Sequence, residues 1–260
     1  MKKINVTITG ALGKMGKILI KRISKNKNLK LFSLTDLKSG KTAHKIKIQK
    51  NNIHAFKKTD VIIDFSRPNA SIEVLKYAKR FKKKIVIGTT GFTKKQNNLI
   101  KNYSKKIAIF KSGNMSLGIN LLEYIVSIFS KKIPKTYQIG IIDNHHKQKV
   151  DYPSGTALML ANAISKSKNK SPESIKGKIF FNKSGSLQKN KINFFITRKG
   201  YTIGKHSVNF NNNVENIELK HTAFSRDLFA DGALNAAEWI SKKNKGLFNM
   251  QDMLGLNKLL

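Results

Sequence analysis

The chain has 260 residues, with 51 Lys and Arg against 14 Asp and Glu, for a formal net charge of +37. The absence of Cys excludes disulfides, thiolate catalysis and cysteine-based metal sites, and no apolar run approaches the roughly 18 residues of a membrane span. The charge points toward nucleic acid, but 46 of the basic residues are Lys and five are Arg, the residue that reads phosphates and bases bidentately.

Lys, Asn and Ile, whose codons are rich in A and T, make up 103 of the residues, so mutational bias accounts for the charge and no specific nucleic-acid partner is expected. The first residues run straight into a strand pattern without an apolar leader, which predicts a cytoplasmic protein with no membrane association.

In chain order, Ile4, Val6 and Ile8 alternate as a short strand, and Gly10-Ala11-Leu12-Gly13-Lys14-Met15-Gly16 follows. Residues 15–24 then repeat apolar side chains at helical spacing, and 29–35 read as a second strand ending at Asp36. The alternation continues with a strand at 61–65, a helix at 69–81, a strand at 85–87, a polar helix at 93–105 and a strand at 107–110. Strands alternating with helices predict a parallel, doubly wound sheet of Rossmann type.

After residue 116 the pattern changes. A helix over 117–130, a strand over 137–143 and a helix over 155–166 lead into strand-like runs at 178–181, 191–197, 203–210 and 214–221. That predicts an α+β domain with a mixed or antiparallel sheet, and a final amphipathic helix covers 225–242. The Lys/Asn/Ser stretch 165–174 reads as a surface loop, and the Lys/Asn bias is densest at 38–58. The organisation expected is residues 1–116 with 227–260 as a dinucleotide-binding domain, and 117–226 as a substrate-binding and oligomerisation domain.

Four segments carry chemistry. Gly10, Gly13 and Gly16 open a helix after a strand, where backbone N–H groups and the helix dipole can hold a pyrophosphate. Asp36, 20 residues past Gly16, suits an adenosine ribose diol. The strand-end loops Phe65-Ser66-Arg67-Pro68, Gly88-Thr89-Thr90-Gly91 and Ser112-Gly113-Asn114-Met115 lie where open α/β sheets bind ligands.

The segment from Asp143-Asn144-His145-His146 through Lys149 to Ser154-Gly155-Thr156 places two imidazoles and a lysine ahead of a helix start suited to a carboxylate. Either His145 or His146 could be a general acid near neutral pH, and Lys149 could bind a carboxylate or donate a proton. A His pair without a third ligand is not a metal site. In Lys220-His221-Thr222-Ala223-Phe224-Ser225-Arg226, one of the few arginines stands where lysine is otherwise preferred.

Nearly the whole chain, in order, resembles the 4-hydroxy-tetrahydrodipicolinate reductase (dihydrodipicolinate reductase) family. The similarity rests on Gly10 to Gly16, Ile63-Asp64-Phe65-Ser66-Arg67-Pro68, Val86 to Phe92, His145-His146 to Thr156, and Arg226 with Phe229-Ala230, Gly232-Ala233 and Trp239. The resemblance implies hydride transfer from NADH and/or NADPH to a cyclic dicarboxylate, giving tetrahydrodipicolinate on the lysine (diaminopimelate) route. It implies His145 as proton donor and acceptor, Lys149 as a second proton donor, and His146, Ser154, Gly155 and Thr156 on the substrate carboxylates. Gly10, Ala11, Leu12, Gly13, Lys14, Met15, Asp36, Gly88, Thr89, Thr90, Ser112, Gly113, Asn114 and Met115 would hold the dinucleotide. It also implies a homotetramer and no metal.

The chain departs from the family pattern at three places. Gly140 and Asp143 stand where the family usually has glutamates, which bears on the orientation of His145. Lys147-Gln148 replaces a more basic or histidine-containing pair. Leu37 follows Asp36 where some relatives carry an Arg suited to a 2′-phosphate, with Lys38 next to it.

Overall fold

The structure, a computed structural model, describes residues 2–41 and 46–258. Residues 42–45, inside the Lys/Asn-rich stretch, and 259–260 lie outside the described residues. In chain order the elements are β1 (Ile4–Thr9), α1 (Lys14–Ile23), β2 (Leu29–Thr35), β3 (Gly40–Lys41), β4 (Lys47–Gln49), α2 (Ile53–Lys57), β5 (Val61–Asp64), α3 (Pro68–Arg80), β6 (Lys84–Ile87), α4 (Lys94–Ser104) and β7 (Ala108–Lys111). There follow α5 (Leu117–Lys132), β8 (Gln138–His145), α6 (Gly155–Ser167), α7 (Pro172–Ile175), β9 (Lys176–Phe181), β10 (Ile192–Arg198), β11 (Gly204–Asn211), β12 (Asn216–Ala223), α8 (Asp227–Ser241), β13 (Gly246–Phe248) and α9 (Met250–Leu254). The chain divides into two compact units, Met1–Ser116 with Arg226–Leu260, and Leu117–Ser225.

The first unit is a Rossmann-like sheet in the order β13-β7-β6-β5-β1-β2-β4-β3, parallel throughout except for the short edge strand β3. Its central strands carry near-continuous apolar runs: all four residues of β5 are buried, as are Ile85, Val86 and Ile87 of β6. Strands covered on both faces read this way because neither face meets water. Helix α8 comes from the far end of the chain and is tied to α1 within this unit. Arg22 donates to both carboxylate oxygens of Asp231 at 2.7 and 2.8 Å, and the amides of Asn26 and Asn28 donate to Glu238.

The second unit is a five-stranded mixed sheet, β12-β11-β8-β10-β9, in which β8, β10 and β9 run parallel and β11 is antiparallel to both β8 and β12. One face of it meets α5 and α6 over a core of Ile139, Ile141, Ile192, Phe194, Ile196, Val208 and Phe210. Strand β8 runs two residues further than its apolar alternation predicts, to His145. That extension puts Asp143 and His145 on the same face as Ile139 and Ile141, since alternate strand residues share a face. The core face therefore turns polar over its last rows.

The stretch expected as a loop at 165–174 contains the end of α6 and the start of α7. The short elements β3, β4, α2, β13 and α9 are too brief to show a hydrophobic period.

Candidate active site

In the first unit, the loop between β1 and α1 is shaped by close backbone approach. Gly10 has φ +74°, and a Cβ there would stand 2.2 Å from the Phe65 carbonyl oxygen. A Cβ on Gly16 would stand 2.2 Å from the Gly10 carbonyl oxygen, so this glycine lets the helix seat on the turn. Lys14 and Met15 form the first turn of α1, Gly13 is its N-cap, and Ala11 is buried with its N–H on Thr35 O at 3.1 Å.

Asp36 follows the end of β2. One of its oxygens accepts from the Leu12 N–H and the other from the Leu37 N–H, at 2.8 and 2.7 Å. A cavity of about 390 Å³ opens here, lined by Gly10, Leu12, Gly13, Asp36, Leu37, Lys38 and Asn51 and by the β5 loop Phe65-Ser66-Arg67. Asn51, from the stretch after β4, carried no sequence signal.

The neighbouring strand ends are organised by a carboxylate the sequence reading did not single out. Asp64 is fully buried and accepts from four hydroxyls, those of Thr9, Ser66, Ser71 and Thr89. Thr89 Oγ1 also accepts from the Ser66 N–H at 3.0 Å, and Gly88 donates its N–H to the Asp64 carbonyl. Gly88 to Thr90 and Ser112 to Met115 sit at the carboxyl ends of β6 and β7, outside the cavity wall. Ser112 donates to the Asn114 carbonyl, Asn114 Oδ1 accepts from Ser116, and Gly113 lies beside Thr90. The loop is held from below by α8, where Gly232 packs so closely that a Cβ would stand 1.7 Å from the Met115 carbonyl oxygen.

In the second unit the ladder registers bring a cluster together. Arg198 on β10 is opposite His145, and His206 on β11 is opposite Asp143, so all four share one sheet face. The Asp143 carboxylate, fully buried, is the hub. Its Oδ2 accepts from the Ser154 N–H at 2.7 Å and from Arg198 Nη2 at 3.0 Å. Its Oδ1 lies 2.9 Å from His145 Nδ1, close in distance though off line for a hydrogen bond, and 3.2 Å from His206 Nε2. Burial works to raise the carboxyl, but His145, His206, the Ser154 N–H and Arg198 together hold it well below the usual carboxylate range. Arg198 also donates to the carbonyls of Asp143, Thr197 and Asp151, latching the 146–154 loop onto the sheet.

His145 is nearly buried, and that burial pulls its imidazole below its ordinary value against the raising effect of Asp143. With Nδ1 facing Asp143, Nε2 is the free nitrogen, and Gly204 leaves the space beside it. A Cβ at Gly204 would stand 3.2 Å from Nε2. Lys149 is paired with Asp151, its Nζ 2.8 and 2.7 Å from the two carboxylate oxygens. His146 is anchored through its backbone, N–H to Thr202 O at 2.7 Å.

Ser154 caps α6 by accepting from the Ala157 N–H. No acidic residue occupies the first turn, and a Cβ on Gly155 would meet nothing within 4 Å, so the helix start is open to an anion. Donor atoms of Asp143, His145 and His206 gather within 4.8 Å. Arg198 already supplies the positive charge at that carboxylate, which makes this an ion-pair cluster and not a metal cradle.

Sequence reasoning found the imidazoles, Lys149 and the helix start. It missed Arg198, His206 and Asp151, and saw in Asp143 only a shortened side chain. Arg198, one of five arginines in a Lys-rich chain, was the one signal available.

Comparison with known proteins covers both units. The family model described as dihydrodipicolinate reductase, N-terminus, matches residues 4–115, and the model described as dihydrodipicolinate reductase, C-terminus, matches residues 118–254. The chain is 51% identical over 255 residues to the 4-hydroxy-tetrahydrodipicolinate reductase of Pelagibacter ubique (strain HTCC1062), covering 98% of this chain and 99% of the relative. It is 46% identical to the protein of the same name from Buchnera aphidicola subsp. Cinara cedri (strain Cc), with 97% of each covered. Among solved structures, a dipicolinate-bound dihydrodipicolinate reductase from Paenisporosarcina sp. TG-14 is similar in fold, with TM-score 0.78 and 23% identity over 96% of this chain and 99% of that one.

Proposed function

The chain belongs to the dihydrodipicolinate reductase family, oxidoreductases of lysine biosynthesis, and on that premise we propose how its residues divide the reaction. The first unit is a nucleotide-binding Rossmann domain. The glycine cradle, the open helix start of α1 and the cavity beside Asp36 fit a pyridine nucleotide. Gly10 to Met15 would hold its pyrophosphate, Asp36 its ribose, and Gly88 to Thr90 with Ser112 to Met115 its far half. When bound, the nucleotide supplies the hydride.

The second unit supplies anion binding and a proton. The first turn of α6, at Ser154, Gly155 and Thr156, with His146, takes the carboxylates of the substrate. His145 donates the proton that accompanies hydride addition, through Nε2, and Lys149 is the second proton donor. One observation carries this reading: buried Asp143 faces His145 Nδ1 at 2.9 Å with one oxygen and accepts from the Ser154 N–H with the other. A single carboxylate thus aligns the proton donor with the carboxylate-binding helix.

Asp36, fixed by two backbone N–H groups, opposes a 2′-phosphate, and Lys38 on the same cavity wall offsets it. Both NADH and NADPH are used, with NADH at least as good. The resemblance also carries a homotetramer and a cytoplasmic setting into this proposal; light scattering on the purified protein tests the first. Among the described residues no helix is long and apolar enough to cross a membrane.

The deciding experiment is a steady-state assay with fresh aldehyde–pyruvate condensation product and each nucleotide. His145→Ala and Lys149→Ala lower kcat by about a hundredfold or more and change KM far less. Unchanged turnover in both variants refutes the roles, and a much higher kcat/KM with NADPH refutes the cofactor preference.

A further inference from the structure

His206 lies outside every motif that identifies the family site, yet it is buried inside the cluster. It stands opposite Asp143 on β8 and opposite His221 on β12, so three strands contribute to one row across the sheet. Its Nε2 is 3.2 Å from Asp143 Oδ1 and 3.2 Å from Ser154 Oγ, and its ring meets the His145 ring edge-on with centroids 4.9 Å apart.

We propose that His206 is a positioning residue of the site, facing the same oxygen of Asp143 as His145 and holding the hydroxyl of Ser154, so that it sets the alignment of His145. This rests on His145 being the proton donor.

The hydrogen-bond logic gives His206 two arrangements. With a proton on Nε2 it donates to Ser154 Oγ, which also accepts from Ala157, and a charged ring faces Asp143 Oδ1 at 3.2 Å. Without that proton, Nε2 accepts from the Ser154 hydroxyl and Asp143 Oδ1 is left to His145 alone. The first arrangement neutralises part of the carboxylate that holds His145; the second strengthens its grip. Either way the change reaches Ser154, the cap of the helix that takes the substrate carboxylate.

The charged and titratable groups facing His206 are Asp143 and His145 from β8, His221 from β12, and, through Asp143, Arg198 from β10. Burial is the largest effect lowering both His145 and His221, and a charge on His206 adds to it at each. His221 is half-buried and ends this row on the edge strand β12.

The test compares the wild type with His206→Gln and His206→Asn, whose carboxamides can hydrogen-bond but cannot titrate. The imidazole proton resonances of His145 are followed against pH in all three proteins. In the variants the His145 titration moves to higher pH, and the alkaline limb of the kcat profile moves with it. The plateau kcat falls by about tenfold, the scale of one lost charge-assisted hydrogen bond.

A structural role alone lowers thermal stability and leaves both profiles superimposed on the wild type; that result overturns the proposal while His145 keeps its role. An unshifted His145 titration in Ser154→Ala, which removes the hydroxyl that His206 holds, overturns it even if the His206 variants fail to fold. Full turnover in His145→Asn is a different failure, that of the proton-donor reading itself.

Discussion

Asp143→Asn is the most informative single change in this protein. The Asn is close in size, so the effect is electrostatic. It removes the negative charge that faces Arg198 at 3.0 Å and His145 at 2.9 Å inside a fully buried position. Breaking a buried ion pair from one side costs about 3–5 kcal/mol. Arg198 keeps three carbonyl acceptors, on Asp143, Thr197 and Asp151, so the lower end, about 3 kcal/mol, applies. For a unit of this size that is an apparent Tm loss of roughly 10 °C.

The pH dependence follows from the depressed carboxyl of Asp143. An unfolded Asp takes up its proton near about pH 4, more readily than the folded one does. The stabilisation is therefore complete above that pH and lost as pH falls below it, so the gap between wild type and variant narrows toward acid. Circular-dichroism melts from pH 7 down to pH 3, with steady-state kinetics at pH 7, measure both effects. Equal Tm at neutral pH with unchanged kcat would refute the assignment of Asp143 as hub. Asp143→Glu, which keeps the carboxylate, retains most of the activity.

Gly204→Ala brings a methyl group to 3.2 Å from His145 Nε2 and 3.3 Å from His206 Cε1. Turnover drops several-fold while the melting temperature holds, because Ala suits a strand better than Gly; a loss of both together contradicts the reading. Gly232→Ala drives a carbon to 1.7 Å from the Met115 carbonyl oxygen, so α8 must move off the 112–115 loop. Urea titration should show a loss of about 3 kcal/mol or more, the scale of an overpacked core, and a wild-type midpoint would show the helix can yield. Lys38→Ala raises KM for NADPH more than for NADH, and Asp36→Asn raises KM for NADH; equal effects on the two nucleotides in both variants would separate this wall from the adenosine ribose.

The Rossmann half was legible because each signal is local. Near-continuous apolar runs mark strands covered on both faces, and Gly10, Gly13, Gly16 and Asp36 lie within one strand–helix–strand unit whose geometry fixes their relation. The second unit gave up its fold class and its motif, His145 to Thr156, for the same reason. The +37 charge, the most conspicuous feature of the composition, is spread with lysine throughout the chain and marks no segment.

What the tertiary structure decided is the neighbourhood of that motif. Arg198 and His206 stand 53 and 61 residues from His145 in sequence, and only the parallel register of β10 and the antiparallel register of β11 on β8 bring them to Asp143. Gly140 faces Phe195, on the other side of the sheet from the cluster. Asp143, although shorter than the usual glutamate, still reaches His145. A sequence specifies which residues can do chemistry and how neighbours in the chain alternate in and out. The partners that orient them come from strand pairing, whose long-range register no local pattern encodes.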